Sequence, residues 1–193
     1  MAPDVLKGPT TLLLLALPLL AACGPRQPGA EAGKTYYWQV TSSTVDFNRC
    51  TDDPAFRADL QPIKYDANSY FIYKVETGAT SATVQNCTTF NPRSCTPVDP
   101  AVTLNIAANE YVYSTESRSA VGTQGCNLLD STTWSAIDSG ETMDLTITHV
   151  LSLVDNTMAC NSAEASIIAQ SPNMTGLQGC VVTFKIGAKF DGR

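Results

Sequence analysis

An alternation of apolar and polar residues with a period of two runs through most of this chain after residue 35. It is cleanest from Thr142 to Asp155, where Met143, Leu145, Ile147, His149, Leu151 and Leu153 share one face and Thr142, Asp144, Thr146, Thr148 and Ser152 share the other. Cys180 to Phe190 repeats the pattern, with Cys180, Val182, Phe184, Ile186, Ala188 and Phe190 opposed to Val181, Thr183, Lys185 and Lys189. In Ser69 to Glu76 both faces are apolar, Phe71, Tyr73 and Val75 against Tyr70 and Ile72, which predicts a strand covered on both sides. Tyr36–Phe47, Ser81–Thr89, Val102–Ile106, Glu110–Thr115 and Thr132–Ile137 bring the total to about eight strands. Turn residues punctuate them at Gly78, Ala108-Asn109 and Asp138-Ser139-Gly140, with a Pro-rich link from Asn91 to Pro100 and a loop or single helical turn over Asn48–Asp59. No segment carries apolar residues at helical spacing. The expected fold is therefore all-β, an antiparallel β-sandwich or a β-barrel.

The N-terminal residues obey a different logic. Thr11 to Ala22 is an apolar run of about a dozen residues, bracketed by Gly8-Pro9 and Gly24-Pro25, which is the length of a signal-peptide core and short of the roughly 20 residues a membrane-spanning helix needs. It ends in Leu20-Ala21-Ala22-Cys23, which resembles the lipobox of bacterial lipoproteins. That resemblance implies cleavage before Cys23, acylation of Cys23, and, with Gly24 in place of aspartate, an outer-membrane address on the periplasmic or cell-surface side. Two or three acyl chains at about 0.8 kcal/mol per buried CH2 would hold the protein stably. The expected organisation is a signal peptide over 1–22, a lipidated cysteine with a flexible Pro/Gly/Ala-rich tether over 23–34, and one all-β domain over 35–193.

Six cysteines remain once Cys23 is set aside: Cys50, Cys87, Cys95, Cys126, Cys160 and Cys180. An even set in an exported chain predicts three disulfides. Asn91-Pro92-Arg93-Ser94 reads as a turn able to bring Cys87 to Cys95, and Cys160 with Cys180 is a second, weaker pairing. A zinc site is the competing reading, disfavoured by the lack of a Cys-x-x-Cys pair and by His149 being the single histidine.

Charge and candidate chemistry narrow the function classes. The formal net charge of −6 comes from scattered acids with no basic stripe, which disfavours a nucleic-acid partner. No Gly-x-Ser-x-Gly elbow, calcium loop or cofactor motif is present, so neither catalysis nor a cofactor is expected, and the acids Asp52, Asp53, Asp130, Asp138, Glu141, Asp155 and Glu164 are read as loop and turn residues. His149 is the sharpest candidate, because an imidazole on an apolar strand face must find a partner or line a cavity. The aromatics exceed what a small core must hide, and Tyr70, Tyr73, Tyr111 and Tyr113 join His149 as candidate ligand-binding residues. Trp134, Asp138 and Gly140, in a Trp-x-x-x-Asp-x-Gly segment, and the closing SPN-x-x-G-x-x-GC loop resemble uncharacterised lipoproteins of myxobacteria, a resemblance that implies no activity. The expectation is a non-catalytic module anchored in the membrane through its lipid, binding a small apolar or glycan ligand. The alternatives are a component docking another envelope protein and, in another class, a hydrolase using His149.

Overall fold

The computed structural model describes residues 29–48, 68–75, 80–89, 91–98, 101–121, 125–170 and 177–191. Among these described residues, nine strands and one α-helix follow in chain order: β1 (Thr35–Asn48), β2 (Tyr70–Val75), β3 (Ser81–Cys87), β4 (Cys95–Pro97), β5 (Thr103–Ala107), β6 (Glu110–Ala120), β7 (Cys126–Asp138), β8 (Thr142–Asp155), α1 (Thr157–Gln170) and β9 (Cys180–Phe190). The alternation in the sequence is realised as strands at all eight expected places. Of the two architectures left open, the structure takes the barrel: β1, β2, β3, β5, β6, β7, β8 and β9 pair antiparallel in that circular order, β9 returning to β1, while β4 is a short addition to β3. Closure pairs every one of these eight strands on both sides over at least part of its length.

The wall is uneven. β1 pairs with β2 only over Thr35–Gln39, and β6 pairs with β5 only over Glu110–Val112. Beyond those stretches β1, β6, β7, β8 and β9 run on together as a curved sheet toward one end, here called the rim. The other end, the base, carries the Ala108-Asn109 and Ser139–Glu141 turns. Trp38, Phe71, Tyr73, Leu104, Tyr111, Trp134, Met143, Leu145, Ile147 and Leu151 fill the interior, as an eight-stranded barrel requires. A smaller cluster lies outside the wall, where Tyr37, Ile72 and Cys87 pack with Tyr70 and Cys95. This explains why β2 is apolar on both faces: Phe71, Tyr73 and Val75 point into the barrel, and Ile72 is covered from outside.

Between Val40 and Ser42 the β1–β9 register shifts at a bulge. Gly187 lies beneath it, with the Thr41 hydroxyl donating to its carbonyl at 3.0 Å, and a Cβ there would meet Ser42 Oγ at 2.6 Å. The glycine interrupts the final strand's pattern because another strand's side chain occupies its place.

One element runs against expectation. Residues 157–170 form α1, where no helix was anticipated, because their apolar residues do not gather on one face. The helix rests on local chemistry and a covalent tie. Asn156 caps it, its Oδ1 accepting from Ala159 N–H at 3.1 Å, and Ala, Met and Glu favour the conformation. Cys160 bonds to Cys126, and Ala163 is buried beside them.

That bond corrects the Cys160–Cys180 pairing: the first turn of α1 faces the start of β7, with 4.8 Å between the two Cα atoms. Cys87–Cys95 forms as the turn predicts, joining directly opposed residues of β3 and β4. Cys180 is disulfide-bonded too, with its partner outside the described residues, where Cys23 and Cys50 also fall.

At the base, the last residues of the expected tether are fastened to the barrel. Gly29 N–H donates to Asp138 Oδ2 at 3.2 Å, Ala30 packs on the core, and Glu31 N–H donates to the Tyr36 hydroxyl at 2.8 Å. Gly29 has φ +99°, and Ala108 O would lie 3.3 Å from any Cβ, so the chain approaches the β5–β6 turn closely here. The chain is therefore fastened to the barrel from Gly29 on, within the stretch 23–34 that the composition assigns to a flexible tether.

Candidate functional site

His149 projects into the lumen from β8, in register with Thr132 on β7 and Val182 on β9. The next inward residue of β7 toward the rim is Asp130. The imidazole Nδ1 lies 3.0 and 3.1 Å from the two Asp130 carboxylate oxygens and 3.0 Å from Thr132 Oγ1, while Thr132 Oγ1 donates to Asp130 Oδ1 at 3.0 Å. A carboxylate only accepts, so the Nδ1 proton is directed at Asp130, and in the neutral ring the acceptor lone pair is on Nε2. His149 Nε2 is buried and has no hydrogen-bond partner. The Phe184 ring stands edge-on, 6.1 Å away at 83°. Thr115, opposite Thr132, and Ser117, opposite Asp130, extend this polar band onto β6.

The five candidate ligand residues do not gather in one place. Tyr73 and Tyr111 stack at 5.1 Å and 15° in the interior toward the base, where the Tyr111 hydroxyl donates to Asp138 Oδ2 at 3.3 Å. Tyr113 is half-buried against Trp134, edge to face at 6.5 Å. Tyr70 belongs to the cluster outside the wall. Only Tyr113 and His149 belong to the middle and upper lumen.

Asp130, read as a loop acid, is instead in the body of β7 and orients His149. It and Thr132 form a polar pair inside the otherwise apolar inward series Leu128, Trp134 and Ala136, and that interruption was the signal available. Asn86 gave no signal at all, since its inward direction depends on the register of β3. It shares a face with Ala82 and Val84, stands opposite Phe71 on β2, and its Oδ1 is buried without a partner. Glu164 and Asp155 have structural duties. Glu164 Oε1 accepts from Leu177 and Gln178 N–H at 2.9 and 3.3 Å, and Asp155, at φ +83°, accepts from Asn127 Nδ2 at 2.6 Å. Cys50, Asp52, Asp53 and most of the SPN-x-x-G-x-x-GC loop fall outside the described residues.

Two surface grooves are lined by described residues. One, of about 260 Å³, lies on the outer wall over Gly187 with Ser42, Thr44, Asp144, Thr146 and Lys185. The other, of about 280 Å³, lies beside α1 with Leu153, Asp155, Asn161, Glu164 and Gln178. Neither includes a candidate tyrosine or His149. Among the described residues no three His, Cys, Asp or Glu side chains are placed to share a metal ion.

The Tyr73 hydroxyl makes a separate prediction. It is buried without a partner, and burial, with the nearby Tyr111 and Asp138, pushes its pKa well above the ordinary 10.0. Removing an unsatisfied buried hydroxyl relieves a desolvation cost, so Tyr73→Phe is expected to raise stability by about 1 kcal/mol. The sign of the pH effect follows from linkage. The unfolded tyrosine releases its proton near pH 10 while the folded one keeps it, so the folded state binds more protons and stability falls as pH rises above that value. Denaturant titrations between neutral pH and pH 11 check both points, since Tyr73→Phe should lack this tyrosine's share of the alkaline loss.

Fold and site together define a closed eight-stranded antiparallel barrel whose lumen holds an Asp–His pair. No family model, curated protein or solved structure matches this chain.

Proposed function

We propose that this protein is a lipid-anchored envelope module that binds a small molecule in the lumen of its barrel, without chemistry of its own. The observation that carries this reading is the attachment of the base. Gly29 and Glu31 are hydrogen-bonded to Asp138 and Tyr36, only six residues after the cysteine of the lipobox. Six residues reach about 20 Å when fully extended. An acyl chain on Cys23 would thus hold the base toward the bilayer and present the rim, with the His149 end of the lumen, to the surrounding compartment.

The geometry around His149 favours binding over hydrolysis. In a nucleophile–His–Asp relay the nucleophile and the acid occupy opposite ring nitrogens. Here Thr132 and Asp130 share Nδ1, and among the described residues no hydroxyl is bonded to Nε2. The pair therefore fixes an imidazole and leaves one acceptor for something else.

The full chain, expressed in a Gram-negative bacterium and extracted in detergent, tests the reading by native and then denaturing mass spectrometry. The expected species starts at Cys23, carries acyl mass on that residue, and loses a further small mass on denaturation. A chain without acyl mass would remove the anchor. An acylated chain with no releasable mass would replace the ligand reading with docking to another envelope protein.

A further inference from the structure

We propose that the rim half of β6 is a pairing edge for a second copy of this chain, joined antiparallel about Ser117 so that Glu116 of each copy meets Arg118 of the other.

β5 pairs with β6 only as far as Val112, so from Tyr113 to Ala120 one side of the strand meets no other strand among the described residues. The direction of its backbone groups follows from the β6–β7 ladder. That ladder is flanked by the bonded pairs Asn109–Asp138 and Val121–Cys126, so the odd-numbered residues between them bond to β7. The N–H and C=O groups of Ser114, Glu116, Arg118 and Ala120 therefore point to the open side, and these four residues are all exposed. Folded proteins usually guard such an edge with proline, lysine, a bulge or a very short strand. Here Tyr-Ser-Thr-Glu-Ser-Arg-Ser-Ala contains neither proline nor lysine, and its register with β7 runs without a shift. Apart from Tyr113, Glu116 and Arg118 its side chains are small, so they offer no steric bar to a neighbouring strand.

The charges select the occupant and the register. A two-fold axis keeps inward residues beside inward ones only when it passes through a residue position. At Ser117 it sets Glu116 opposite Arg118 twice. One residue earlier or later it sets Glu116 against Glu116, or Arg118 against Arg118. Unlike charges directly opposed stabilise a strand pair, and like charges destabilise it. Within one chain both side chains are weakly engaged: Glu116 Oε1 accepts from the Ser131 hydroxyl at 3.2 Å, and Arg118 lies 3.9 Å from Asp155 with 62% of its side chain exposed. In the Ser117 register Ser114 and Glu116 of each copy form bonded pairs with Ala120 and Arg118 of the other, which uses every open backbone group of the edge. β6 runs from base to rim, so antiparallel pairing of the rim halves places the two bases at opposite ends. On the orientation proposed above, on which this last step alone rests, the pair joins copies held in two facing membranes.

The full chain extracted in detergent tests the edge by sedimentation, in which the parent is expected to form a concentration-dependent dimer. Glu116→Arg and Arg118→Glu should each weaken it at least about tenfold, by setting like charges opposite each other. An equimolar mixture of the two should restore it, which also shows that both variants fold. Ser117→Cys should give a disulfide-linked dimer on mild oxidation, because the residue meets its own copy in an unbonded pair with about 4.5 Å between Cα atoms. Ser114→Cys, far from its own copy, should not. If a charge variant fails to fold, the Ser117→Cys crosslink decides alone. A parent that stays monomeric, a dimer indifferent to both charge reversals, folded charge variants that do not recombine, or equal crosslinking at Ser114 and Ser117 overturns the proposal. Acylated protein reconstituted in phosphatidylcholine vesicles is expected to cluster them, and vesicles carrying Glu116→Arg should cluster only with vesicles carrying Arg118→Glu. Pairing in detergent without clustering of vesicles would overturn the orientation on the anchor and leave the edge assignment standing.

Discussion

Replacing both Cys126 and Cys160 by alanine is expected to destabilise the barrel by about 4 kcal/mol, more than the loss of any other described cross-link. The bond closes a sequence separation of 34 residues, against 8 for Cys87–Cys95. Restricting the unfolded chain scales with the logarithm of that separation, giving about 4 kcal/mol for the longer loop and about 2.5 for the shorter. At roughly 2–4 °C per kcal/mol for a domain of this size, the double variant should melt about 8–16 °C lower. The location adds a local effect. Among the described side chains of α1, Cys160, Ala163 and Ala159 pack against the barrel and Glu164 accepts from the segment before β9, while most others are exposed, including Met158 at 81%. Without the disulfide the helix loses its covalent tie to β7, so its amides should exchange with solvent much faster while those of β7 and β8 stay protected. Thermal melts of this variant and of one with alanine at both Cys87 and Cys95, with hydrogen exchange on the first, check both parts. Equal losses in the two variants would show that the restriction of the unfolded chain is not what stabilises the domain.

How much of this fold could be read in advance depended on where a strand sits in the wall. β8 and β9 were legible from end to end because one face packs inside the barrel and the other meets water along almost their whole length. β6 and β7 were legible only toward the base. Near the rim Ser117 and Ser119 point inward yet are exposed, since β5 does not extend far enough to close the wall there, so the alternation fades while the strand continues. Closure itself was not legible. The pairing of Trp38 with Phe190 joins the two ends of the domain, and nothing in either strand's pattern distinguishes it from a free edge. The site was half legible. His149 stood out as a polar residue in an apolar series, but its meaning depends on Asp130, brought beside it by a register that no local pattern specifies. The tyrosines misled for a related reason: Tyr70 and Tyr73 lie three apart on one strand and therefore face opposite sides of the wall.

Asp138→Ala is expected to cost about 3–5 kcal/mol, although Asp138 is the last residue of β7, beside a turn where an acid is usually dispensable. It is fully buried. Its Oδ1 accepts from Gly140 N–H at 2.7 Å, and its Oδ2 accepts from Gly29 N–H at 3.2 Å and the Tyr111 hydroxyl at 3.3 Å. Its backbone adds Asn109, whose carbonyl accepts from Asp138 N–H at 2.9 Å and whose Nδ2 donates to Asp138 O at 3.2 Å. One side chain thus ties the segment entering β1, the β5–β6 turn and the β7–β8 turn together at the base. Alanine leaves those donors without their acceptor in a site closed to water, which is the costly direction of losing a hydrogen bond. Asparagine should cost less, about 2 kcal/mol, because it keeps one acceptor while its NH2 confronts an N–H that needs one. Asp155→Asn, a change at a side chain 41% exposed, should fall within about 0.5 kcal/mol of the parent. The decisive readout is amide exchange at Gly29 and Glu31. If Asp138 is the latch, these amides become unprotected in Asp138→Ala under conditions where the β8 amides are not. If they remain protected, the segment is held by Ala30 and Tyr36 instead, and the orientation of the barrel on its anchor loses its main support. The Trp-x-x-x-Asp-x-Gly segment takes on a physical meaning in this way. Trp134 fills the core, Gly140 supplies the φ of +92° that the turn needs, and Asp138 closes the base, so its residues are conditions for the fold, while the candidate for function lies above them at His149.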